Sequence, residues 1–231
     1  MGTIDDERLK AHLRWMAAGR TGAGQLVADG AELRGAKLGG LVLAGARFAN
    51  CDLDGADLSF CDLSDATFLQ CTARRAWLLR SKYRRARLRG CTLVGADARL
   101  IFFNDAEVRG GDWSTANLER SDFSGARLEL VDFTRALLPD VTFDRAELRE
   151  CNFQSADWRE QVAQLAVARA HGATFVQCDF RGANLDGVRL KDVRFERCRF
   201  DGLTGKPRVE GALEIAGADV DEAALRASWG A

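Results

Sequence analysis

Apolar residues recur along this chain at every fifth position, a spacing that fits neither the 3.6-residue helical period nor the two-residue strand alternation. Steps of five from Leu33 through Leu38, Leu43 and Phe48 to Phe153 and Trp158 meet an apolar residue every time, and only Ala73 and Ala98 are as small as alanine. A second column runs two residues ahead of the first. It is alanine at every tenth residue from Ala36 to Ala156, and smaller or sulfur-bearing residues such as Cys51, Cys61, Ser81, Gly111, Val131 and Cys151 fill most steps between. The other positions are mostly polar. A fixed short period marks a repeat, which has to be explained before any single element is assigned.

Two inward side chains per five residues, one large and one small, suit a chain that turns a corner after every repeat. Four repeats then close a square coil of 20 residues, and successive coils stack at about the 4.7–4.9 Å spacing of paired strands. The axis of such a coil has room for little more than a methyl group, which accounts for the alanines. Residues 20 apart lie one above the other, so Asp54 is expected to face Arg74, Asp62 to face Lys82 and Asp65 to face Arg85.

The repeat unit is Ala or Cys, then Asp or Asn, then Leu or Phe, then two polar residues, as in ADLSF, CDLSD, ANLER, SDFSG, CDFRG and ANLDG. It resembles the pentapeptide-repeat family over roughly residues 31–202. The resemblance implies an all-β, right-handed quadrilateral β-helix, here with an N-terminal helical cap and a short C-terminal helix. It also implies partners: Qnr- and MfpA-type members bind DNA gyrase or topoisomerase IV and protect them from inhibitors, with a rod that mimics a DNA duplex. This chain departs from those acidic rods, because the stripe Asp62, Asp65, Asp105, Asp122 and Asp144 is interrupted by Lys82, Arg84 and Arg85.

Three segments are expected. Residues 1–25 form the cap, with an amphipathic helix over 5–18 that places Leu9, Leu13, Met16 and Ala17 on one face. His12 and Trp15 then cover the first coil, which a solenoid leaves open to water. Residues 26–202 form the β-helix, interrupted by a loop at about 159–171 that contains Arg159, Glu160, Gln161, Gln164, Arg169 and His171. Between Trp158 and Phe175 the beat gains two residues over whole repeats, which an insertion of two, seven or 12 satisfies equally. Residues 203–231 are extended from Pro207 to Val220 and end in a helix N-capped by Asp219 or Asp221. On it Leu225 and Trp229 share a face, to close the rod or to pair with a second copy.

Composition narrows the function. The chain has 231 residues, 47% of them hydrophobic, and a net charge of −1, which suits one globular domain and disfavours general nucleic-acid binding. With no long apolar run and no basic-then-apolar leader, a cytoplasmic protein with no membrane role is expected. All seven cysteines occupy the small inward position and read as core filler. No phosphate loop, metal-ligand spacing or nucleophile motif occurs, so neither catalytic residues, nor a metal, nor a cofactor is expected. What remains is a binding surface. Apolar residues stand at outward positions at Phe60, Leu79, Trp77, Leu100 and Phe102, next to a coil, 71–90, with eight cations and no acid. Phe60, Trp77, Leu79, Arg80, Arg84, Arg85, Leu100 and Phe102 are therefore the candidate partner-binding residues. Nucleic-acid binding through the same arginines is the alternative.

Overall fold

The computed structural model describes residues 4–159 and 168–230. It is a parallel β-solenoid of about nine turns. The chain opens with α1 (Asp6–Ala17) and follows with β1 (Val27–Asp29), β2 (Arg47–Ala49), β3 (Thr67–Leu69), β4 (Arg87–Arg89), β5 (Glu107–Asp112), β6 (Arg127–Asp132) and β7 (Glu147–Arg149). After the interruption come β8 (Arg169–His171), β9 (Thr174–Val176), β10 (Arg189–Glu196), β11 (Arg208–Ala216) and α2 (Glu222–Trp229). Most of these strands lie on one side of the coil, the first face. The other three faces are held by single bridges such as Asp52 to Thr72, Asp57 to Trp77 and Asp62 to Lys82, all parallel and 20 residues apart.

Each coil has four large inward residues. Phe48 and Phe68 stand on the first face, Leu53 and Ala73 on the second, Leu58 and Leu78 on the third, and Leu63 and Tyr83 on the fourth, all buried. Because coils repeat at the strand spacing, identical positions stack ring on ring. Phe48 and Phe68 lie 4.8 Å apart, Phe103 and Phe123 5.1 Å, and Phe133 and Phe153 4.9 Å. The small column, Ala46, Ala56, Ala66 and their successors, is fully buried between them.

Two local devices turn the corners. Every fifth residue from Gly30 to Ser155 has a positive φ, so each corner is a left-handed residue. The cost falls on side chains, since only glycine adopts this region freely; yet Phe60, Leu100, Thr115 and Leu130 stand there at φ of 61°, 58°, 57° and 57°. The second device explains the Asp/Asn of the repeat. Asp57, Asp62, Asn117 and Asp122 each accept the backbone N–H two residues on, from Ser59, Ser64, Glu119 and Ser124, at 2.9–3.1 Å. These are Asx turns, in which a short side chain satisfies an amide that the ladder leaves open. Where the repeat lacks the Asp, a coil below substitutes: Thr72 cannot serve Arg74, whose N–H is taken by Asp54 at 2.8 Å.

The interruption adds seven residues to one coil. Paired residues are 20 apart from Asp132 to Asn152 but 27 apart from Asn152 to Asp179. Ala170 fills the large position between Trp158 and Phe175 and is buried. Arg169 and His171 are therefore not loop residues, as expected from sequence, but strand β8, paired with β10. The expectation failed because an alanine at the large position hides the repeat that resumes there. Glu160, Gln161 and Gln164 lie outside the described residues.

Both ends are covered. In α1, His12 is buried and its Nδ1 accepts the Leu26 N–H at 3.1 Å, while its ring stacks on Trp15, 5.4 Å away. Leu13, expected on the buried face, is exposed, because the helix docks through His12 and Trp15. At the other end Asp221 N-caps α2. Trp229 meets Phe200 and Phe195 edge-on at 5.8 and 6.1 Å. Leu225 packs partly buried against the same core, so both side chains face the last coil of their own chain.

Candidate functional site

Seven of the eight expected partner-binding residues fall together about the edge between the third and fourth faces, and Arg85 stands at the next corner. Phe60, Arg80 and Leu100 are successive residues of one corner column, Trp77 and Leu79 flank Leu78 on the third face, and Arg84 and Phe102 stand on the fourth. Phe60 is 57% exposed and Trp77 56%. Arg80 and Arg84 are exposed, and Leu79, Leu100 and Phe102 are half-buried. Arg84 lies over the Phe102 ring, its Cζ 5.4 Å from the centroid, a cation–π contact between adjacent coils.

Simple inter-coil stacking does not explain these side chains. Trp77 is paired above and below with Asp57 and Asp97, and Phe102 with Lys82 and Asp122. Leu100 sits between Arg80 and Arg120 in its column. Phe60 sits between Gly40 and Arg80, so none of the four continues an apolar column. Each also stands where a different residue type would serve the coil better. Trp77 and Phe102 hold Asx-turn positions, and Phe60 and Leu100 hold left-handed corners that glycine takes at Gly40 and Gly55. Departures from the locally preferred residue that bring no visible structural gain are expected at functional sites.

The charges around this edge are unevenly satisfied. Asp65 is held by Arg85 through two hydrogen bonds of 2.8 and 3.0 Å and by Arg20 of the N-terminal segment at 2.8 Å; the Arg85 bonds and then Arg20 keep its carboxyl below the usual range. Arg74 approaches Asp54 to 3.8 Å and Arg87 meets Glu107 at 3.5 Å. Asp62 and Lys82 are in register as expected but form no ion pair; Asp62 accepts the Ser64 amide N–H. Among the described residues, Arg75, Arg80, Lys82, Arg84 and Arg89 have no carboxylate at ion-pair distance. Arg85 is therefore committed to the fold, whereas Arg80 and Arg84 are free to meet a partner.

Of the interrupted coil, Arg159 folds back on Asp157 at 2.7 Å, Arg169 pairs with Asp144 at 3.0 Å, and the His171 amide donates to the same carboxylate at 3.1 Å. These three serve local structure. Cysteines 51, 61, 71, 91, 151, 178 and 198 are all buried in the small column; burial pushes the Cys61 thiol up to about 11, and its Sγ donates to the Leu38 carbonyl at 3.0 Å. Among the described residues no group of His, Cys, Asp or Glu is placed to hold a metal ion, and no helix is long and apolar enough to cross a membrane.

Sequence reasoning missed the Asx turns and the Arg20 latch on Asp65. The first was visible as an Asp/Asn preference whose purpose needs the corner geometry. The second joins residues 45 apart with no periodic relation.

Among curated proteins none matches the sequence. Solved structures similar to this chain include a trypsin-treated variant of QnrB1, a plasmid-mediated fluoroquinolone resistance protein, at 20% identity over 88% of this chain and 94% of that one, with a TM-score of 0.44. HetL, a pentapeptide repeat protein involved in heterocyst differentiation regulation in the cyanobacterium Nostoc, is 22% identical over 89% and 90%, with a TM-score of 0.33. A pentapeptide repeat protein of the Arabidopsis thaliana thylakoid lumen is 32% identical over 46% and 63%, with a TM-score of 0.25. These likenesses carry no functional argument. The profile of pentapeptide repeats matches in eight copies across residues 31–70, 103–135, 129–157 and 163–202. With more than half of its length matched, and with the five-residue corner geometry throughout, this chain belongs to the pentapeptide-repeat family.

Proposed function

We propose that this protein is a non-enzymatic binding solenoid whose partner protein docks on the edge built by Phe60, Trp77, Leu79, Leu100 and Phe102, with Arg80 and Arg84 among them. One observation carries the reading: Phe60 and Trp77, exposed, and Leu100 and Phe102, half-buried, stand at outward positions where Asp, Asn or Gly would serve the coil better. An exposed aromatic cluster rimmed by arginine has the composition of an interface centre.

For the partner we put DNA gyrase or topoisomerase IV first, in a bacterial cytoplasm, as an enzyme this protein shields from inhibitors. The Qnr- and MfpA-type resemblance of the repeat nominates them. The test is gyrase supercoiling under fluoroquinolone inhibition, titrated with this protein and with the Phe60→Gly/Trp77→Asp variant, which installs residues the repeat itself uses. Supercoiling restored by the parent and not by the variant supports both the partner and the surface. No restoration by the parent removes gyrase as the partner. Equal restoration by parent and variant removes the surface.

A further inference from the structure

We propose that the segment received by this edge is acidic as well as apolar: a stretch of the partner protein with Glu or Asp interspersed among Phe, Leu or similar side chains. The inference rests on the docking reading above and adds the partner's chemistry to it. The argument is one of unspent charge. Coil 71–90 has eight cations and no acid of its own. Away from the apolar edge, neighbouring coils neutralise three of those cations, Arg74 by Asp54, Arg85 by Asp65 and Arg87 by Glu107, while Arg75 and Arg89 stand singly without an ion pair among the described residues. At the edge itself Arg80, Lys82 and Arg84 are three successive outward residues, all exposed, and none has a carboxylate at ion-pair distance among the described residues.

Acids are close by but occupied. Asp57 and Asp62 hold the Ser59 and Ser64 amides, Asp97 holds Arg99 through bonds of 2.8 and 2.7 Å, and Asp122 holds the Ser124 amide. These carboxylates keep their charge but are turned onto their own coils, so Arg80, Lys82 and Arg84 stand as three neighbouring cations without a direct ion pair among the described residues. The form of the edge also narrows the ligand. Arg84 is held against Phe102, so its guanidinium is already placed beside an apolar surface, which suits a carboxylate carried next to a buried hydrophobic side chain. A nucleic-acid strand would use the arginines and the aromatic faces but leave the aliphatic Leu79 and Leu100 without a match.

The experiment is fluorescence anisotropy with three labelled probes: a peptide of Glu interspersed with Phe and Leu, its counterpart with Gln for every Glu, and oligo-dT. The acidic peptide is expected to bind at least about tenfold tighter than the Gln peptide, to weaken with added salt, and to lose that preference in the Arg80→Glu/Arg84→Glu variant. Equal binding of both peptides, lost in Trp77→Asp, overturns the acidic partner and leaves the docking surface standing. Tighter binding of oligo-dT than of either peptide, lost in the arginine variant, assigns the edge to nucleic acid and overturns the proposal. Binding of neither peptide, or binding unchanged by both variants, overturns the surface itself.

Discussion

Arg84 and Phe102 belong to neighbouring coils of the fourth face, and the guanidinium carbon of the first stands 5.4 Å from the ring centre of the second. The pair is solvated, so its contribution to stability is small, about 0.5–1 kcal/mol. Its consequence is positional: a mobile cation is fixed against an apolar surface. A double-mutant cycle of Arg84→Ala and Phe102→Ala in urea should return a coupling energy of this size. A coupling above about 2 kcal/mol would make the pair a structural element.

The left-handed corners offer a second test, remote from that edge. Thr115 is β-branched and sits at φ 57°, where glycine is at ease. Thr115→Gly should stabilise the protein by about 0.5–1 kcal/mol in urea unfolding, opposite in sign to the usual effect of glycine. Gly111 is the contrary case. At φ 135° a Cβ would strike the Cys91 carbonyl oxygen, which also accepts the Trp113 indole N–H at 3.2 Å. Gly111→Ala should therefore destabilise by about 2 kcal/mol or more.

Ala73 replaces the leucine of its neighbours Leu53 and Leu93 in the second-face column, and beside it lies an apolar cavity of about 20 Å³ that also touches Phe68, Leu78 and Tyr83. Room for little more than one water-sized sphere suits one or two added methyl groups. Ala73→Val should raise stability by about 1 kcal/mol, read as a higher melting temperature. A loss instead would show that the cavity cannot open further without strain.

His12 makes the N-terminal cap sensitive to acid. Burial holds its pKa below the ordinary value, the Arg20 charge acts in the same direction, and the Ala44 carbonyl opposes both. Its Nδ1 accepts the Leu26 N–H, so the docked form is neutral. The unfolded chain takes a proton at about 6.5 while the folded one resists, hence stability is full above about pH 6.5 and falls as the pH drops toward the lower folded value. Intrinsic-rate-corrected protection of the Leu26 amide should be lower at about pH 5.5 than at about pH 7.5, before most carboxylates titrate. Protection unchanged between the two would contradict this role.

Much of the fold was legible because period five leaves few alternatives. The square coil, the aligned pairs Asp54–Arg74 and Asp65–Arg85, the buried cysteines and the clustering of Phe60, Trp77 and Phe102 all follow from counting by five and twenty. What was hidden has physical causes. The length of the interruption was ambiguous because Ala170 stands where the count looks for a large residue. Register could not show that Asp62 and Lys82 form no ion pair, since alignment of two residues does not fix where their side chains turn. Trp229 could equally have served a second copy until Phe195 and Phe200 were seen to receive it.

The central claim is that the edge residues are kept for a partner and not for the coil. It is tested most directly by urea unfolding of the quadruple variant Phe60→Gly/Trp77→Asp/Leu100→Gly/Phe102→Asp. Two left-handed side chains are relieved and two Asx turns are gained, each worth about 1 kcal/mol, against the loss of partly covered apolar area. The account predicts a midpoint equal to or above that of the parent protein. A variant less stable by more than about 2 kcal/mol would mean that these side chains hold the coils together, and would contradict it.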